Sequence, residues 1–269
     1  MSTSITEAVF LRTRDGRLAA MVDDHCYLAV PAGERWRVAG AWRLSKPAET
    51  WEPADFYSWE GFIDGEEGFR AWVEDVAIHR RQLAALSRRR LPMLSALHTP
   101  WGVADDSETY GDGVVFHGTP SHGGFKLDEV RNAQVPAALR NADGWYEEDC
   151  EWAKVPIAFP ALFTDREWRQ ADNTVRNEWP DYWEQVNGRT IPPGESWAKD
   201  HRLFHQAHAR DWIALSAAMS KDHSGMVECV AALGGDRGSS KRRCFLVPSD
   251  DYVTGRFGFV IDEGRHAEI

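Results

Sequence analysis

Short apolar-rich runs and polar turns alternate through residues 8–44. Val9–Leu11, Leu18–Val22, Tyr27–Val30 and Trp36–Trp42 are separated by Asp15-Gly16, Asp23-Asp24 and Gly33-Glu34. Runs of this length with turn residues between them predict a β-meander. Pro47–Trp59 reads as an aromatic-rich loop. From Gly65 the period changes, because Phe69, Trp72, Val73, Val76, Leu83 and Leu86 recur near one helical face and predict a long helix. Glu66 and Glu67 fall in its first turn and Arg88-Arg89-Arg90 in its last, where each sign suits the helix dipole. Leu91-Pro92 closes the helix. A boundary is expected between there and Pro100, giving domains at 1–95 and 96–269.

The second part alternates strand and helix signals. Trp101–Ala104, Gly113–His117 and Gly124–Leu127 read as an antiparallel group, and Gly123 and Gly124 as turn glycines beside it. Helices are expected at Glu129–Arg140, Glu147–Ala153 and Thr164–Gly188, the last interrupted at Trp179-Pro180 because proline cannot continue the backbone ladder. A turn at Pro192–Ser196 leads into a helix at Trp197–Ala209. Trp212–Met219, Met226–Leu233, Cys244–Val247 and Phe257–Ile261 read as strands. The expected class is α+β. A mainly antiparallel sheet has helices packed on one face, preceded by the small N-terminal β-meander and long helix.

Composition narrows the function. The formal net charge of −11 argues against nucleic-acid binding through a broad positive surface and suits a basic partner. No apolar run reaches membrane-spanning length, and Met1–Thr13 lacks a secretion-signal pattern, so a cytoplasmic protein is expected. Cys26, Cys150, Cys229 and Cys244 form no C-x-x-C pair and read as reduced thiols. The thirteen tryptophans are spread from Trp36 to Trp212, as core anchors and interface residues are. There is no P-loop and no dinucleotide fingerprint, and the cofactor stays open.

Four segments together resemble a known family. They are Thr99-Pro100-Trp101-Gly102, Thr119–Leu127, Gly144–Trp152 and Ile191–Ser196. The chain is similar over residues 98–262 to uncharacterised proteins carried on plasmids, phages and other mobile elements of proteobacteria. The resemblance implies a setting in transfer, maintenance or evasion of host defence, and no mechanism.

Several constellations offer chemistry. His122 with Glu147 and Cys150 has the residue types of an imidazole-activated thiolate, and on a helix Glu147 and Cys150 would share a face. His117, Thr119, Ser121, Trp145, Tyr146, Glu148 and Asp149 surround these positions in sequence and are the expected binding residues. Phe116-His117-Gly118-Thr119 resembles the strand-borne His-Gly-Thr of ADP-ribosyltransferases, which implies a nicotinamide pocket with Tyr146 as stacking ring and Glu228 as the later glutamate. His201, His205 and His208, at spacings of four and three on a predicted helix, are candidate metal ligands, although Arg202 stands where a H-E-x-x-H motif has glutamate. The basic segment from His79 to Arg90 could meet phosphate or an acidic partner, or serve as a solvated helix end.

None of these sets is complete. The leading expectation is therefore an accessory interaction or inhibitory protein of a mobile element that binds a host or plasmid protein without catalysis. The alternative is a hydrolase using His122 with Cys150 or with a histidine-bound metal, ahead of the ADP-ribosyltransferase-like reading.

Overall fold

The computed structural model describes residues 7–92 and 96–269, which divide into two compact units, residues 1–173 and 174–269. The class is α+β, with every named strand pair antiparallel. The first unit opens with β1 (Ala8–Arg12), β2 (Leu18–Val22), β3 (His25–Ala32), β4 (Arg35–Trp42) and β5 (Ser58–Ile63), a meander in sequence order. β5 falls partly in the segment read as a loop. Its signal is weak because only Ile63 is buried, so no alternation marks it.

Both faces of this meander are covered. α1 (Gly65–Ala85) lays Phe69, Val73, Val76 and Ala77 against Leu18, Ala20, Val22, Tyr27 and Val38. Burying each of the larger side chains contributes about 1.5–3 kcal/mol. Trp51 and Phe56, edge to face at 5.8 Å, close the other side over Ala19, Cys26, Leu28 and Ala39. α1 ends at Ala85, so the three arginines do not form its last turn. Arg88 leaves the helix to make a bidentate pair with Glu167 at 2.8 and 2.7 Å, and Arg89–Arg90 form the short strand β6.

A second sheet follows in the same unit. After the small ribbon of β7 (His98–Thr99) and β8 (Gly102–Val103) come β9 (Asp106–Gly111), β10 (Val114–Gly118), β11 (Gly123–Leu127), α2 (Glu129–Gln134) and β12 (Trp145–Glu147). The sheet order is β12-β11-β10-β9-β6. α2 is half the length expected, since its backbone turns extended at Val135, before Pro136. Glu147–Ala153 is not a helix. Trp145–Glu147 pair with Lys126–Gly124 in β12, and the helical turns begin only at Glu151, leading into α3 (Lys154–Ala158). Pairing with β11, where Tyr146 lies opposite Phe125, overrides the helical propensity of the glutamates.

The expected boundary at 95–96 falls inside this unit, and residues 93–95 themselves lie outside the described part. Polar bonds join α1 to α4 (Asp165–Glu178) across it. Gln82 Nε2 donates to Asp165 Oδ2 at 2.6 Å, and the His79 Nδ1 and Thr164 Oγ1 pair lies at 2.8 Å.

In the second unit, Pro180 starts α5 (Pro180–Asn187), Gly188 ends it in the left-handed region at φ 63°, and Ser196 caps α6 (Trp197–Ala207). β13 (Trp212–Met219), β14 (Met226–Leu233), β15 (Arg243–Pro248) and β16 (Ala267–Glu268) form a sheet in sequence order. Phe257–Ile261 is not a regular strand, although Val260 bridges Ile213. Phe259 and Ile261 still join Cys229, Phe245 and Val247 in the core.

Candidate functional site

The sites predicted in the first unit gather at one end of its second sheet. Thr119 and His122 bracket the β10–β11 turn: the Thr119 N–H and hydroxyl donate to the His122 carbonyl at 2.8 and 2.6 Å, and the His122 N–H donates to Thr119 Oγ1 at 3.1 Å. This ties the loop to itself and leaves the imidazole half exposed, at 49%. Ser121 is exposed in the same turn. Across β11, His122 Nδ1 lies 3.6 Å from Glu147 Oε1 and 3.9 Å from Glu148 Oε1. One ligand atom from each of the three residues falls within 4.8 Å of the others. Glu147 Oε2 accepts the Asp149 N–H at 2.7 Å, whereas its Oε1 is buried without a hydrogen bond.

Cys150 does not belong to that group. Because the acidic run is a strand and a turn, Glu147 and Cys150 share no helical face. The thiol sits half-buried at the start of the following helical turn. Gly123 and Gly124 lie in β11, with φ outside the left-handed region. What they need is space. A Cβ on Gly124 would meet the Trp101 ring at 2.3 Å, and one on Gly123 would meet Glu148 Oε2 at 2.7 Å.

The two faces of the sheet separate the remaining candidates. His117 is buried beneath Trp145, ring centroids 5.6 Å apart, and its Nδ1 bonds Ser107 Oγ at 2.7 Å. Burial holds it below the usual imidazole range, with nearby Asp106 pulling the other way. Tyr146 is paired with Phe125 on the opposite face, fully buried, and its hydroxyl donates to Asn132 Oδ1 at 2.6 Å. It offers no ring face to a nicotinamide, and the Nδ1 of His117 is taken up by Ser107.

Residues 95–209 match DUF7007, a domain of unknown function. No curated protein and no solved structure matches the chain. The match starts close to the expected position 98 and ends at 209 instead of 262, so β13–β16 lie outside it.

The DUF7007 segment holds two cavities beside the His122 group. A cleft of about 610 Å³ is lined by Trp101, Trp145, Asn141, Glu147 and Glu151. Under it lies a polar network that the sequence reading missed. Buried Lys154 donates to Asn141 Oδ1 at 2.9 Å and Glu151 Oε1 at 3.0 Å, while Asn141 Nδ2 donates to Glu151 Oε2 at 2.8 Å. A lysine so deeply buried needs such partners, but its spacing from Asn141 carries no sequence signal. The second cavity, of about 190 Å³, has walls of Tyr110, Phe116, Phe125, Trp152 and Phe163, with Glu148 and Glu167 alongside. Burial pushes Glu167 up, but the Arg88 pair and the Thr164 N–H outweigh this and hold its carboxyl below the usual range.

The histidines of α6 do not form a three-ligand group. His201 and His205 lie ring to ring at 4.3 Å, His205 Nδ1 donates to the Gly234 carbonyl at 2.9 Å, and His208 turns to Asp211 at 2.7 Å. No helix among the described residues is long and apolar enough to cross a membrane.

Proposed function

We propose that the chain is a cytoplasmic accessory or inhibitory protein of a mobile genetic element, which binds a basic host or plasmid protein without catalysis. One observation carries this reading. The ring-walled cavity beside Glu148 suits the head of a lysine or arginine side chain from a partner. A cation over an aromatic face gains about 0.5–2 kcal/mol, more where water is excluded, and a carboxylate at the mouth adds a charge-assisted bond. Arg88 already demonstrates the pairing in this molecule: its guanidinium sits 3.9 Å from the Tyr110 ring while it neutralises Glu167. Glu148 is thus the carboxylate left for a partner, with exposed Asp149 adjacent. Most of the acidic excess of the chain lies in residues 1–173, which steers a basic partner to this unit. Exposed Trp59 and Phe62 on edge strand β5, with exposed Tyr57 just before it, add residue types that anchor interfaces, and Arg37 lies 4.1 Å over the Trp59 ring.

The test is capture of the partner on the purified chain, followed by affinity measurement with variants. Glu148→Gln and Trp152→Ala should each weaken the complex about tenfold or more, with steep salt dependence. A complex indifferent to both substitutions overturns the reading.

A second reading, a metal-assisted hydrolase, is favoured by the convergence of His122, Glu147 and Glu148 and by the unsatisfied Glu147 oxygen. Two carboxylates and an imidazole can hold a divalent cation with positions left for water and substrate.

A further inference from the structure

In this acidic chain a cleft with basic and aromatic walls stands out. It lies wholly in the second unit, beside α6, with a volume of about 580 Å³, the size of a small-ligand site. One wall is aromatic. Trp197 stacks on His201 at 4.7 Å with planes 19° apart, and Phe257 closes on both edge to face, at 6.0 and 5.5 Å. The other side is cationic, with Arg237 and Arg256 among its lining residues.

The backbone is shaped to present these groups. Gly255 and Gly258 exchange hydrogen bonds at 3.2 and 3.3 Å, so Arg256 and Phe257 form the two-residue tip of a tight hairpin at the cleft. Gly258 adopts φ +133°, and a Cβ there would reach Ile213 Cγ2 at 2.9 Å, so the tip requires glycine at that position. His205 is oriented by its Nδ1–H bond to the Gly234 carbonyl, which leaves Nε2 for a ligand. Arg237 has no ion-pair partner among the described residues. The carboxylate of Asp200 is the acidic group near Arg256, at 3.5 Å, and it also accepts the Gly194 N–H at 2.8 Å. A guanidinium without a carboxylate partner and a second shared with only one carboxylate leave the cleft able to receive negative charge.

We propose that this cleft binds a small phosphorylated molecule bearing a flat ring, such as a nucleoside monophosphate. The phosphate is held by Arg237 and Arg256, and the ring lies on the Trp197–Phe257 wall. Neither half suffices alone: the aromatic wall cannot distinguish a phosphate, and the guanidiniums cannot distinguish one phosphate ester from another.

The experiment is calorimetric titration of the full chain with adenosine 5′-monophosphate, adenosine and inorganic phosphate. Saturable binding of the monophosphate is expected below about 1 mM, with adenosine and inorganic phosphate each at least about tenfold weaker because each engages one half of the site. Arg237→Ala should weaken monophosphate binding about tenfold or more. Arg237 is exposed and unpaired, so this variant should keep the parental melting temperature. Arg256→Ala and Trp197→Ala should act in the same direction, each checked by its thermal midpoint. No saturable binding of the monophosphate up to several millimolar, or undiminished binding in Arg237→Ala, overturns the proposal. Equal affinity for monophosphate and inorganic phosphate also overturns it, since the ring would then contribute nothing.

Discussion

Gly124→Ala tests whether the end of the second sheet is held by close approach instead of by turn geometry. Gly124 pairs with His117 on one side and Glu147 on the other, so its backbone cannot shift without disturbing both ladders. An added Cβ would lie 2.3 Å from Trp101 Cη2 and 2.4 Å from the Tyr146 carbonyl oxygen. That oxygen belongs to β12. Trp101 in turn is fitted edge to face against Trp145 at 5.5 Å. Overpacking of this kind costs about 1–3 kcal/mol, and displacing Trp101 forfeits about 0.5–1.5 kcal/mol of ring pairing. Alanine offsets about 0.4–1 kcal/mol by restricting the unfolded chain. The net expectation is a loss of about 2 kcal/mol, or about 4–8 °C in melting temperature for a protein of this size. Gly123→Ala is the control. Its nearest neighbours are the ends of two side chains, Glu148 Oε2 at 2.7 Å and Phe116 Cζ at 2.8 Å, with the His117 carbonyl at 3.1 Å. Those ends can swing aside, so a loss below about 1 kcal/mol is expected. Thermal unfolding of the full chain, followed by near-ultraviolet circular dichroism, reads both. A Gly124→Ala midpoint within about 2 °C of the parent, or a Gly123→Ala loss equally large, would refute the steric argument.

Three further outcomes are expected. Burial lowers the proton affinity of His117 and of His79 in the native state, so the unfolded chain takes up these protons at higher pH and stability falls as pH drops below the ordinary imidazole value of 6.5; denaturant midpoints should show His117→Asn with a shallower decline between about pH 7 and 5, and identical slopes would count against it. Lys154→Ala removes the donor to Asn141 and Glu151 and should cost about 2–3 kcal/mol in chemical unfolding, with a change under about 0.5 kcal/mol showing that the network is dispensable. Zinc titration separates the two functional readings: the binding reading expects no saturable site tighter than about 0.1 mM, whereas a tighter site lost in both His122→Ala and Glu147→Gln would favour the hydrolase, with Cys150→Ser leaving either activity intact.

The elements with strong periodicity were legible in the chain. The first four strands of the meander, the start of α1, the proline break between α4 and α5, and the limits of β13 and β14 follow from local patterns whose signal lies within a dozen residues. Two of the failures share one cause, a partner distant in sequence. Glu147-Glu148-Asp149 look helical in isolation, and only the vacant edge of β11 makes Trp145–Glu147 a strand. The triple arginine looks like a helix end, and only Glu167, far along the chain, draws Arg88 out of it. His122, Glu147 and Glu148 were singled out by residue type, and their proximity arises because antiparallel pairing returns β12 to the β10–β11 turn.

Local composition therefore determined the α+β class, the acidic character of the chain and the shortlist of polar residues in the hairpin. The fold decided which of them meet. It left Cys150 outside the His122 group, buried Tyr146 against Asn132, and divided His201 and His205 from His208. Helix and strand periods are encoded by neighbours in sequence. A cavity or a ligand set depends on which distant strands pair and which face each side chain takes, and a shift of one residue in register inverts that choice.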